Sequence, residues 1–181
     1  MIIKESNNIV FSYQIDTLFG SCCQKSAYIS RHISTEDIVI DDVTLTDDDK
    51  NIFLIALEPI LSNIHDRLLK LSSGINNAYT NDGTTISFAI QDNGAYNNNV
   101  LSIVDTTIYN CMEIGSIMTW YQICGIKAVD QEYSAKYIAS LQELSRRIFQ
   151  LKKKSIKSTL GDITYDTPTS QPPNIPAEDN G

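Results

Sequence analysis

Between about Thr46 and Leu71 the apolar residues return every three or four positions: Phe53, Leu57, Ile60, Leu61, Ile64, Leu68 and Leu71. That is the period of an α-helix with one face turned to a core. Thr46 suits the N-cap. Asp47, Asp48 and Asp49 fill the first turn, where the helix dipole favours anions. Gly74 follows as a C-cap. Pro59 lies inside and removes one backbone hydrogen bond, so a kink is expected there rather than a break.

Three more segments carry the same period. From about Tyr13 to His32, Ile15, Leu18, Phe19, Cys22 and Ile29 fall near one face. Gly20 weakens that helix by about 1 kcal/mol relative to alanine. From about Asn99 to Cys124, apolar residues from Val100 to Tyr121 cover more than half the circumference, which predicts a central helix. Gly125 caps its end. The last helix starts at Asp130 as N-cap and runs to about Lys154. Its narrow seam is Tyr133, Tyr137, Ile138, Leu141, Leu144, Ile148 and Leu151.

The β signal is small. Ile86, Phe88 and Ile90 alternate with Thr85, Ser87 and Ala89, between the turn signals Asn81-Asp82-Gly83 and Asp92-Asn93-Gly94. This predicts one strand or hairpin inserted at about residues 75–98, too little for a sheet domain. It would pair with the N-terminal strand or with a neighbouring subunit. Residues 1–12 read as an extended arm or strand, and residues 34–45 as an extended linker or edge strand. Four of the five prolines, Pro168, Pro172, Pro173 and Pro176, lie in the last fourteen residues. Such a tail, residues 158–181, is disordered or orders on a partner. The chain is therefore mainly α: a four-helix bundle over 13–157 with a small β insertion and extended N- and C-terminal arms.

Charge changes the picture more than composition does. The 181 residues hold 14 Lys and Arg against 22 Asp and Glu, a net charge of −8. An acidic chain is a poor sequence-independent DNA binder, because neutralising phosphates needs clustered cations. The distribution is uneven. Acids gather at Glu36, Asp37, Asp41, Asp42, Asp47, Asp48 and Asp49, and bases at Arg146, Arg147, Lys152, Lys153, Lys154 and Lys157. Either these are two solvated faces, or the acidic surface of one copy meets the basic end of the next. A head-to-tail contact of that kind builds rings when its rotation closes.

Catalytic chemistry is hard to assemble from this sequence. It holds no Gly-rich phosphate loop, no G-x-S-x-G and no C-x-x-C pair. Cys22, Cys23, Cys111 and Cys124 are expected to be reduced thiols, and only His32 and His65 could join them on a metal. A Cys22 or Cys23 nucleophile with His32 as base is formally available. It would lack an acid to orient the histidine and would need a depressed thiol pKa. The paired aspartates sit in polar surroundings that would leave their acidity ordinary. No cofactor, metal or catalytic residue is expected. The first residues lack the apolar run of a signal peptide, and no stretch is apolar enough for a membrane span; Glu113 interrupts the best one.

Four features recur together in this order: Cys23-Gln24-Lys25-Ser26-Ala27-Tyr28, Thr46-Asp47-Asp48-Asp49, Trp120-Tyr121-Gln122-Ile123, and Ala135-Lys136-Tyr137 through Arg146-Arg147-Ile148-Phe149 with Lys152-Lys153-Lys154. The arrangement, over about residues 20–155, resembles head–tail connector proteins of tailed phages, of the type found in crAss-like phages and prophages of the Bacteroidales. The resemblance implies a connector-like bundle and a non-enzymatic virion protein made in the host cytoplasm. It also implies a neck ring, often of about twelve copies, beneath the portal and beside other neck and tail proteins. DNA would pass through the lumen in transient, non-specific contact. On this reading Arg146, Arg147, Lys152, Lys153, Lys154 and Lys157 face a neighbouring subunit or the DNA. Asp41, Asp42, Asp47, Asp48 and Asp49 form the acidic counter-surface. The second reading is a cytosolic helical adaptor or regulatory protein whose Pro-rich tail is a peptide ligand for an aromatic-lined groove.

Overall fold

Strict alternation makes the sheet. In the computed structural model, which describes residues 1–5, 8–33, 43–71, 79–92 and 96–152, strand β2 (Asn8–Gln14) turns Ile9, Phe11 and Tyr13 inward. Strand β4 (Thr85–Gln91) does the same with Ile86, Phe88 and Ile90. The two pair antiparallel, so Ile9 faces Ile90, Phe11 faces Phe88 and Tyr13 faces Ile86 across the ladder. Each cross-strand pair adds same-face packing to the backbone hydrogen bonds. Strands β1 (Ile2–Glu5) and β3 (Tyr79–Asn81) complete an antiparallel sheet in the order β1-β2-β4-β3. Between β3 and β4, Asp82 Oδ1 accepts from the Thr84 and Thr85 amides and Gly83 takes φ +84°, a left-handed turn that glycine permits without strain.

Helix α1 (Ile15–Ile33) begins directly where β2 ends, with the Ile15 amide donating to the Thr84 carbonyl at 2.9 Å. A short 3-10 turn, Asp47–Asp49, leads into helix α2 (Lys50–Leu68), which continues through Pro59 and ends in a second 3-10 turn, Leu69–Leu71. Helix α3 (Asn98–Ile123) and helix α4 (Lys127–Lys152) form an antiparallel pair. Gly125, at φ +73°, turns the chain between them, and the Asn97 amide donates to the Leu151 carbonyl at the far end. Helix α3 is the centre. It packs against α1, α2 and α4, and its buried residues lie on nearly all sides, from Val100 to Tyr121.

Two places on α3 explain its fit. At Gly115 the helices come so close that a Cβ would lie 2.9 Å from Tyr137 Cε2 and 3.0 and 3.1 Å from Ile60 Cγ2 and Cγ1. Glycine's helix penalty of about 1 kcal/mol is the cost of that approach. Two residues earlier, the carboxylate of Glu113 is buried and takes contacts from Lys25 Nζ and Ser21 Oγ on α1. Lys25 and Ser21 are four residues apart, one above the other on the same helix face.

The structure is mainly helical with a small antiparallel sheet. Several local expectations need correction. The inserted strand pairs with the N-terminal segment, the first of the two partners expected for it, but the result is one four-stranded sheet and not a single strand or hairpin. Of the arm or strand expected over residues 1–12, the structure has strand: β1 lies at the sheet edge and β2 inside it. Strand β2 runs to Gln14, so α1 starts two residues later than its periodicity suggests. Asp130 is not the N-cap of α4. The helix starts at Lys127, because Gly125 reverses the chain at once, and Asp130 lies in the first turn, accepting from Ser134 Oγ. Gly74, most of the expected linker at 34–45 and the tail 158–181 lie outside the described residues.

Two glycines give opposite expectations. Alanine at Gly115 meets Tyr137 and Ile60, both buried and unable to retreat, so overpacking outweighs the gain in propensity and Gly115→Ala lowers stability by about 1–3 kcal/mol. Alanine at Gly20 meets nothing within 4 Å, so Gly20→Ala raises it by about 0.5–1 kcal/mol. Urea midpoints of the two variants check both signs.

Candidate functional site

The charged groups singled out by the sequence sit at opposite ends of the α3–α4 pair. Asp47, Asp48 and Asp49 precede α2 at the end where α3 finishes. Trp120 Nε1 donates to the Val43 carbonyl at 2.9 Å, and the Leu45 amide donates to Ser26 Oγ at 3.0 Å, so this segment is tied to the last turns of α3 and to α1. Arg146, Arg147 and Lys152 lie at the other end, where Leu151 meets Asn97. The helix between Asn97 and Trp120 spans about 35 Å at 1.5 Å per residue. Within one copy the two clusters are too far apart to pair.

The acidic cluster is partly spent locally. Asp49 Oδ2 accepts from the Thr46 amide at 2.9 Å and from Thr46 Oγ1 at 2.8 Å, and so serves the turn that opens α2. Asp47 and Asp48 are exposed. Asp41 and Asp42 lie outside the described residues. The basic cluster is also partly neutralised. Arg146 grips Glu143 with two hydrogen bonds of 2.8 and 2.7 Å, and Arg147 Nε reaches the same carboxylate at 2.6 Å. Those bonds, Arg146 first, hold the Glu143 carboxyl below its usual range. One positive charge therefore remains on the triplet, and exposed Lys152 adds another. Lys153, Lys154 and Lys157 lie outside the described residues.

A second polar set, which the sequence did not announce, holds the acidic end together. Tyr121 Oη donates to the Ser26 carbonyl at 3.1 Å and meets Ser30 Oγ at 3.2 Å, all in the core. Burial without such partners would cost each group about 1–3 kcal/mol. The Lys25–Ser21–Glu113 set was equally hidden. Its only signal is an acid, Glu113, set within the apolar run Cys111-Met112 and Ile114 of α3.

The thiols run against nucleophilic chemistry. Burial pushes the pKa of Cys22 and Cys111 up, Cys111 to about 11. Cys23 is raised by burial and then by Asp47 and Asp49, and Cys124 by burial and then by Asp49. A thiolate nucleophile needs the reverse. His32 stacks edge-on against Tyr28, with ring centroids 4.4 Å apart. Among the described residues no group of three or more His, Cys, Asp or Glu could hold a metal ion, and no helix is long and apolar enough to cross a membrane. A groove of about 440 Å³ lies over Tyr13, Asp105 and Tyr109, but its carboxylate is already engaged by Tyr13 Oη at 2.7 Å.

Two measurements follow from the thiols. Alkylation of the native chain by iodoacetamide at neutral pH should be slow at all four cysteines, and slowest at buried Cys22 and Cys111, as read by peptide mass spectrometry. Stability should also fall at alkaline pH. The folded state holds Cys111 protonated, so its contribution is complete below the ordinary value of 9.0 and is lost as pH rises toward about 11. The urea midpoint should drop across that window, and less steeply in Cys111→Ala.

Comparison with protein-family models, with curated proteins and with solved structures returned no match to this chain.

Proposed function

We propose that this chain is a structural subunit of a tailed-phage virion, forming an oligomeric ring in the neck between portal and tail through which DNA passes. One observation carries the reading: exposed acids and surplus bases stand at opposite ends of the helical pair, too far apart to satisfy one another within a copy. Acid-to-base contact between successive copies is heterologous, and a heterologous contact builds a ring when its rotation closes. The resemblance to head–tail connector proteins supplies the place of that ring in the virion. A net charge of −8 suits a lumen that must pass DNA without holding it. Its neighbours on this reading are the portal and the other neck and tail proteins, and no catalytic step is assigned to it.

Exposed ion pairs are weak singly and screened by salt. The assembly should therefore be salt-sensitive, and reversing one end should disrupt it. Asp47 and Asp48 are the residues to reverse, because Asp49 serves the turn. In sedimentation velocity at low salt the purified chain should form a defined species of several copies. Asp47→Lys with Asp48→Lys should shift it toward monomer by at least tenfold in dissociation constant, with unchanged circular dichroism. Quantitative mass spectrometry of purified virions should find roughly a dozen copies per particle. A salt-insensitive monomer or dimer that is absent from virions would replace this reading with the helical adaptor.

A further inference from the structure

A groove of about 250 Å³ runs between the last turns of α1 and the first turns of α4. Its walls include Tyr28, His32 and Tyr133, with Lys136 and Glu132 at the rim. Tyr28 is 65% exposed, a large ring left on the surface. It is nonetheless held: His32 stands edge-on to it at 4.4 Å. Tyr133 is held too. Lys136 Nζ lies 4.4 Å from its ring centroid and is anchored by Glu132 at 2.5 Å.

Rings fixed in a shallow groove are the surface that receives a polyproline II segment, which arrives already ordered and loses little entropy on docking. This chain contains such a segment. Pro173-Asn174-Ile175-Pro176 has the P-x-x-P spacing, preceded by Pro172 and Pro168. We infer that residues 168–176 fold back onto the Tyr28–His32–Tyr133 groove of their own chain.

Reach and charge both allow it. Tyr133 and Lys152 stand on one helix, about 28 Å apart along its axis. The fifteen residues from Lys153 to Thr167 span up to about 47 Å as polyproline II. The tail carries Asp162, Asp166, Glu178 and Asp179 and no Lys or Arg beyond Lys157. It meets a rim where Lys136 is paired with Glu132, so the groove presents no net negative charge to repel it. The docking does not depend on the neck-ring reading and would stand in a monomer.

The test uses the full chain with Tyr28 replaced by the photoreactive analogue p-benzoylphenylalanine, which keeps an aromatic ring in the groove. Trypsin releases residues 158–181 as one peptide, because no Lys or Arg follows Lys157. After irradiation, mass spectrometry should find that peptide as the main partner of position 28. Pro173→Ala with Pro176→Ala should cut the yield at least fivefold, with unchanged circular dichroism. Three results would overturn the proposal. The tail peptide is not captured, or the proline variant is captured equally well. Or the same group placed at Ile55, exposed on α2, captures the tail as strongly. A mixture of 15N-labelled and unlabelled chains should give cross-links within one label only; mixed pairs would overturn the fold-back.

Discussion

Where helix α3 passes Ile60 of α2 and Tyr137 of α4, there is room for a hydrogen atom and no carbon. That contact at Gly115 sets how near the three helices lie, and the rest of the bundle is arranged around it. Packed interiors have the density of organic crystals, so a spacing fixed at one point is transmitted along the helices. Leu57, Leu61 and Ile64 on α2 and Leu144 and Ile148 on α4 are buried on the faces that this spacing brings together. One and a half turns beyond Gly115, the larger residues Trp120 and Tyr121 fill the end of the helix and reach Val43, Ser26 and Ser30 by hydrogen bonds.

Apolar stripes alone leave helices free to slide or rotate at small cost. The polar groups inside this core remove that freedom. Glu113 lies in register with α1 when Lys25 and Ser21 meet it, and a one-turn slip would bury its charge without partners. A buried pair of this kind adds little net stability, since desolvation offsets most of the attraction. Lys25 keeps 48% of its side chain in solvent, which eases that cost. Tyr121 fixes the other end of α1 through Ser26 and Ser30. The two sets hold α1 against α3 at points about two turns apart on α3.

The helices were legible because their signal is local. Seven apolar positions at helical spacing announced α2, and broad apolar cover announced that α3 would be central. The turn at Asp82-Gly83 was legible for the same reason. The sheet was legible in part: the N-terminal strand stood beside a neighbouring subunit as partner for the inserted one, and periodicity cannot see across the helices between β2 and β4 to choose. Asp130 misled because a good capping residue was given more weight than Gly125, whose reversal had already started the helix. The charged clusters were visible as composition. Their partial neutralisation was not read from the sequence, although Glu143 stands three and four residues before Arg146 and Arg147, within reach on one helix. The Ser21, Lys25 and Glu113 set was out of reach, because two of its members look like ordinary surface residues until α3 is laid beside them.

The strand order β1-β2-β4-β3 has a consequence for how the chain is made. Gln14 and Thr85, which face one another in the ladder, are 71 residues apart. On the ribosome β2 emerges well before β4, and until then only β1 can pair with it. A lone two-stranded hairpin is marginal in water. At 5–20 residues per second the wait is roughly 4–14 s. Throughout it, Ile9, Phe11 and Tyr13 have no cover from β4. Translation speed and chaperone cover over that interval, more than the stability of the finished bundle, would then govern the yield of native chain.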